Sequence, residues 1–304
     1  MNRFALCLPL LISVLFGCDS SGPEEEEEDG TLVLSISGLE PLPDGYHFEG
    51  WVITTDALTR SVGKFNVDDG GRLVDLSGAQ ITAGLIETPF ELDSTVYVMF
   101  ISIEPPGDAD EMPSDTRLMG GIFVDQTANL RTADVEGIED ALILAAGTYI
   151  VATPTDGPDT NEDSGIWFVN LTGGPPGRGL RTTIPIRGWK YQAWAEFDGI
   201  LVDMGVITHH SMPDESSLYS GPMAGYNYPG EDFLMNAPPG LSFPTSVINA
   251  SIRVTLEPDP DPDPAPSQFA LFGGRVPPFE QTGETFNLTN QIDLFPTGTA
   301  YISN

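Results

Sequence analysis

The decisive stretch runs Ile103-Glu104-Pro105, then a loop rich in proline and aspartate, then Pro113-Ser114 and Leu118-Met119-Gly120-Gly121. It returns as Leu256-Glu257-Pro258, a second such loop, Pro266-Ser267 and Leu271-Phe272-Gly273-Gly274. Glutamate and first glycine are 16 positions apart in both copies (104 to 120, 257 to 273). An apolar, β-branched run halted by proline reads as a strand end. Two such ends with one spacing are the mark of an internal repeat of a β module.

Further landmarks match outward from this pair. Gly30 to Gly38 brackets a run as long as Gly165 to Gly173. Trp51 answers Trp194, and the glycines of Val62-Gly63-Lys64-Phe65 and Met204-Gly205-Val206-Ile207 follow their tryptophans by 12 and 11 positions. The 27 prolines and 33 glycines leave short runs rich in Val, Ile, Tyr, Phe, Trp and Thr. Leu32–Ile36, Val96–Ile101, Tyr149–Ala152, Ile166–Val169 and Ser251–Leu256 read as strands. No window sustains a helical period beyond about three turns. The expectation is an all-β chain: two tandem β-sandwich-like modules, 31–135 and 141–304, behind a disordered acidic tether. The second is longer through the loop 212–245 and an added hairpin around Asp156–Asp163. Loops of that length are usually functional or mobile.

The N-terminus reads differently. After Met1-Asn2-Arg3, residues Phe4 to Phe16 carry no charge and are mostly apolar. This is too short for a bilayer, which takes about 20 residues, and suits a signal-peptide core over 1–17. Leu15-Phe16-Gly17-Cys18 resembles the bacterial lipobox, with the bulky Phe16 at its permissive position; the resemblance implies lipidation of Cys18, membrane attachment and an extracytoplasmic location. The acidic residues after Cys18 resemble export signals that send lipoproteins to the outer membrane or cell surface in some bacteria, whereas Asp19 resembles an inner-membrane retention signal in others. Residues 18–30, including Glu24 to Asp29, form a self-repelling tether. The other cysteine, Cys7, leaves with the signal, so no disulfide, thiol nucleophile or cysteine metal site is expected.

The chain has 45 acidic residues against 12 basic ones, and Lys64 and Lys190 are its only lysines. Such a field repels nucleic acid and anionic membranes. Adaptation to a salty medium accounts for it, carboxylates keeping the surface hydrated while salt screens them.

At the repeat's landmarks the sequence resembles the extracytoplasmic C-terminal domain of anti-sigma-K factors. The first copy supplies Trp51, Gly63-Lys64-Phe65, Asp69-Gly70-Gly71-Arg72, Ile103-Glu104-Pro105, Pro113-Ser114 and Gly120-Gly121. The second supplies Tyr191-Gln192-Ala193-Trp194, Gly205, Glu257-Pro258, Pro266-Ser267 and Gly273-Gly274, without a Gly-Arg turn. The resemblance implies an envelope interaction or sensing module. It does not extend to the sigma-binding segment or transmembrane helix of a full anti-sigma factor, so sigma inhibition is not carried over.

Chemistry is sparse. Glu104 and Glu257 could be an acid and a base, but each occupies the same place in its own repeat, where a carboxylate can accept N–H groups of the next loop. Asp108-Ala109-Asp110-Glu111 and the Asp-Pro run Asp259–Pro264 could bind calcium; alternate prolines splay the carboxylates, and both read as solvated loops. His47, His209 and His210 are the only histidines, and the adjacent pair, read as strand residues, would point to opposite faces, so no metal site is expected. Gly-x-Ser-x-Gly is absent, no catalytic residue can be named, and no cofactor is expected. Strand tryptophans read as core. Tyr219, Tyr226 and Tyr228 are the aromatic set with a claim to exposure and ligand contact. The leading expectation is a non-enzymatic, lipid-anchored protein with an envelope partner; the alternative is a glycan- or ligand-binding surface lipoprotein using those tyrosines.

Because the negative charge is diffuse, stability is expected to rise gradually with NaCl as the Debye length falls to about 3 Å near 1 M. In thermal melts, millimolar CaCl₂ should add nothing saturable at high NaCl; a sharp gain would revive the Asp-rich loops as calcium sites.

Overall fold

The computed structural model describes residues 30–303 apart from 89, 93–94, 133–141, 159, 184–185 and 279–281. The signal-peptide and lipobox residues, Cys18 and nearly all of the tether lie outside the described residues. The all-β expectation holds: large antiparallel sheets carry the fold, and among the described residues no helix is long and apolar enough to cross a membrane.

The first module supplies β1 (Gly30–Ser37), β2 (His47–Thr54), β3 (Thr59–Val67), β4 (Leu73–Val74), β5 (Leu85–Thr88), β6 (Val96–Glu104), β7 (Arg117–Val124) and β8 (Thr127–Arg131). The second supplies β9 (Ala146–Val151), β10 (Gly165–Trp167), β11 (Val169–Asn170), β12 (Gly177–Arg178), β13 (Leu180–Arg181), β14 (Trp189–Phe197), β15 (Ile200–Ile207), β16 (Gly230–Asp232), β17 (Ser251–Pro258), β18 (Ala270–Arg275) and β19 (Thr285–Asn290). The last strand is β20 (Thr297–Ser303). One sheet has the order β4-β3-β2-β6-β7-β8-β20-β1-β5, the other β15-β14-β17-β18-β19-β9-β10-β16.

Apart from β4, which has no counterpart among the described residues, the first order matches the second strand for strand. Two ladder slips recur, while a third, between Ile53 and Thr54 in the β2–β6 ladder, has no partner in β14–β17. The β2–β3 ladder pairs Gly50 with Gly63 and then slips, so that Trp51 faces Ser61; the β14–β15 ladder pairs Ala193 with Gly205 and then slips, so that Trp194 faces Asp203. Gly63 and Gly205 carry φ of +138° and +112°, conformations that side chains with a Cβ rarely adopt, which is why the bulge keeps glycine in both copies. Across the next ladders Trp51 lies opposite Phe100 and Phe100 opposite Gly120; Trp194 lies opposite Arg253 and Arg253 opposite Gly273. Each sheet curls until its ends approach: Gly63 of β3 abuts Ile86 of β5, and Gly205 of β15 abuts Ser216, which bonds to Glu231 of β16.

One boundary is corrected. Residues 297–303, expected to finish the second module, instead enter the first sheet between β8 and β1. The counterpart of β20 is β9, which holds the same place between β19 and β10. The physical reason is edge pairing: without β20 the facing sides of β8 and β1 would expose unpaired N–H and C=O groups. The strand alternates as a half-buried strand should, with Ala300 and Ile302 inside and Thr299 and Tyr301 outside. The apolar interior is continuous through both modules, and the Trp189 indole N–H donates to the Arg117 carbonyl at 3.1 Å between them.

Ile302→Ala is therefore expected to cost about 2–5 kcal/mol of stability in urea unfolding, as for a buried branched side chain. Tyr301→Ala, on the solvent face of the same strand, should cost much less. Equal small effects would place β20 outside the cooperative core.

Candidate functional site

Behind the apolar face of β2 and β6 lies a buried polar face, set by period-two alternation: His47, Glu49 and Trp51 on β2 and Phe100, Ser102 and Glu104 on β6. The Trp51 indole donates to Ser102 Oγ at 2.8 Å, Ser102 donates to Glu104, and Glu104 accepts the backbone N–H of Ser114 at 2.9 Å. Ser114 Oγ returns to the Ile103 carbonyl at 2.8 Å. The second module repeats this chain: Trp194 to Thr255 Oγ1 at 2.8 Å, Thr255 to Glu257, the Ser267 N–H to Glu257 at 3.1 Å, and Ser267 Oγ to the Leu256 carbonyl at 2.6 Å. Both glutamates are buried, and burial pushes the Glu257 carboxyl upward. Their place is the architectural one, closing each Pro/Asp-rich loop onto its strand.

Beyond this shared chain the modules differ. In the second, Lys190 pairs with Asp261 at 3.3 Å. In the first, the residue in the Lys190 position is His47: each lies opposite its module's buried glutamate in the ladder. Ligand atoms of His47, Glu49 and Asp108 lie within 4.8 Å of one another. His47 and Glu49 are 4% and 2% exposed. Lys64 reaches the group from β3, 2.7 Å from Asp108 Oδ2 and 3.4 Å from Glu49 Oε2, and Ser61 donates to Glu49 Oε1. Burial raises the Glu49 carboxyl, whereas the Lys64 hydrogen bond lowers that of Asp108. Sequence reading missed this convergence, because Asp108 comes from a loop that folds back over the sheet. The legible signal was His47-x-Glu49, which puts two ligating side chains on one face of a strand.

The other histidines sit past the end of β15, so strand alternation does not govern them. Their rings stack, with centroids 4.7 Å apart, and Arg178 approaches His210 Nε2 at 2.7 Å.

The long loop of the second module is held by the buried carboxylates Glu231 and Asp232 and the half-buried Asp214. Asp232 accepts the Trp167 indole N–H at 2.6 Å and the Thr155 N–H at 2.8 Å; Glu231 accepts the Ser220 hydroxyl; Asp214 accepts the N–H groups of Gly230 at 2.7 Å and Ser216 at 3.0 Å. The three tyrosines do not form one patch. Tyr219 is buried against Phe233 and Phe243, whereas Tyr226 and Tyr228 are half-buried in a separate cluster around Trp167. Tyr226 meets that indole edge-on, and Tyr228 donates to the Pro176 carbonyl at 3.1 Å.

No protein-family model, no curated protein and no solved structure matches this chain.

Burial raises the carboxyls of Asp214 and Glu231 to about 7 each. An unfolded chain releases these protons near pH 4. Their contribution to stability is thus fully present below pH 4 and is lost as pH rises through 7. Glu49, Asp232 and Glu257 shift in the same direction, and His210, lowered by burial, opposes them. The thermal midpoint is expected to be higher at pH 5.5 than at pH 8. Glu231→Gln should remove roughly half of the part due to the Asp214–Glu231 pair, since one of its two titrating groups is gone. An unchanged slope in that variant would show that Glu231 does not titrate in this range.

Proposed function

We propose that this is a lipid-anchored, extracytoplasmic envelope protein whose duplicated β scaffold serves interaction or sensing, with modules similar to the outer domain of anti-sigma-K factors. The observation that carries the anchor is the run Phe4 to Cys18 with its lipobox-like end, followed by the acidic stretch 24–29 and, directly after it, the first strand at Gly30. That order supports a lipid on Cys18, a solvated spacer and then a folded body. The interaction reading rests on the architecture: the buried Glu104 and Glu257 close loops in duplicate, so the obvious acid and base are engaged in support of the fold. A second reading, ligand or glycan contact by the long loop, is favoured at Tyr226 and Tyr228, which stay partly open beside Trp167, and not at Tyr219.

Cys18→Ala should move the protein from the membrane pellet to the soluble fraction and abolish incorporation of labelled fatty acid. Persistence in the pellet after a high-salt wash would overturn the anchor.

A further inference from the structure

We propose that His47, Glu49 and Asp108 form a binding site for a divalent transition-metal ion of the zinc type, with Lys64 as a built-in competitor that withdraws when the ion enters. The first support is an orphaned group: His47 is buried, and its Nε2 has no hydrogen-bond partner. A buried imidazole nitrogen without a partner is unfavourable unless something supplies one. Glu49 Oε2 likewise makes no hydrogen bond and has only the 3.4 Å ion pair with Lys64.

The second support comes from the repeat. At the positions of His47 and Glu49 the second module carries Lys190 and Gln192, opposite Glu257 and Thr255 where the first pair faces Glu104 and Ser102. There the lysine closes on Asp261 and the loop is held without a ligand. The first module places metal-ligating types at both positions and keeps the aspartate, so the same framework presents one nitrogen and two carboxylates.

Charge and donor type select the ion. Glu49 and Asp108 carry two negative charges, which the single ammonium of Lys64 leaves partly uncompensated and a dication neutralises. A nitrogen with two carboxylates suits zinc, which accepts three protein ligands and leaves a fourth position to water. Calcium requires six to eight oxygens, more than this group offers. The Lys64 side chain is 27% exposed, so its tip can turn to solvent without leaving a buried charge behind.

The test is ZnCl₂ titration of the purified full chain in 0.5 M NaCl with 5 mM MgCl₂, which occupies diffuse acidic sites, read by calorimetry and thermal melt. One saturable site per chain is expected, with a rise in melting temperature. His47→Lys puts at this position the residue that the second module carries there and removes a ligand, while the Lys64–Asp108 pair continues to hold the loop. It should weaken binding by at least tenfold, given that loss even of a supporting outer-shell group costs about 10–100-fold. Lys64→Gln should tighten binding. His209→Ala combined with His210→Ala should leave it unchanged. Absence of a saturable site, undiminished binding in folded His47→Lys, or loss in the His209/His210 variant instead would each overturn the assignment.

Discussion

A buried glutamate that closes a loop onto the end of its own strand is the constraint around which each module is arranged. Glu104 and Glu257 stand where proline stops β6 and β17, and each accepts the N–H of a serine ten residues on. A carboxylate withdrawn from water is costly unless its lone pairs are engaged. The hydroxyl of Ser102 or Thr255 engages a further one and passes the bond to an indole on the next strand. Strand end, loop and tryptophan are thereby fixed together. The bulge at Gly63 or Gly205 follows, because the tryptophan keeps its place only if the neighbouring strand yields one residue.

The same device, an acid wholly or partly withdrawn from water and satisfied by local donors, recurs where regular structure runs out. Between β15 and β17 the chain has little secondary structure besides β16, and Asp214, Glu231 and Asp232 gather backbone and hydroxyl donors that a sheet would otherwise have taken. In a chain so acidic, carboxylates serve inside as cross-links as well as outside as solvated charge. The inner ones are the groups whose protons are held more tightly on folding.

The duplication then gives each position a built-in comparison. Where the two modules agree, as at the Trp–Ser/Thr–Glu chain, the residue is held by the fold. Where they diverge within one framework, as at His47 and Glu49 against Lys190 and Gln192, the shared fold accommodates either pair. Tyr219 shows the converse: it lies in the same loop as Tyr226 and Tyr228, yet its ring completes an aromatic cluster with Phe233 and Phe243.

By itself the sequence determined the all-β class, the duplication and the equivalence of Trp51 with Trp194, Gly63 with Gly205 and Glu104 with Glu257. These are local matters: strand residues alternate with period two, proline and glycine mark the ends, and equal spacings survive in equal scaffolds. Tertiary structure decided what depends on partners distant in the chain. It put β20 into the first sheet, beside strands more than 160 residues earlier, because hydrogen-bond pairing of an open edge takes no account of sequence order. It drew Asp108 over His47 and Glu49, and it sank Tyr219 while leaving Tyr226 half-buried, because burial is settled by which faces meet when the sheets curl and the loops close over them.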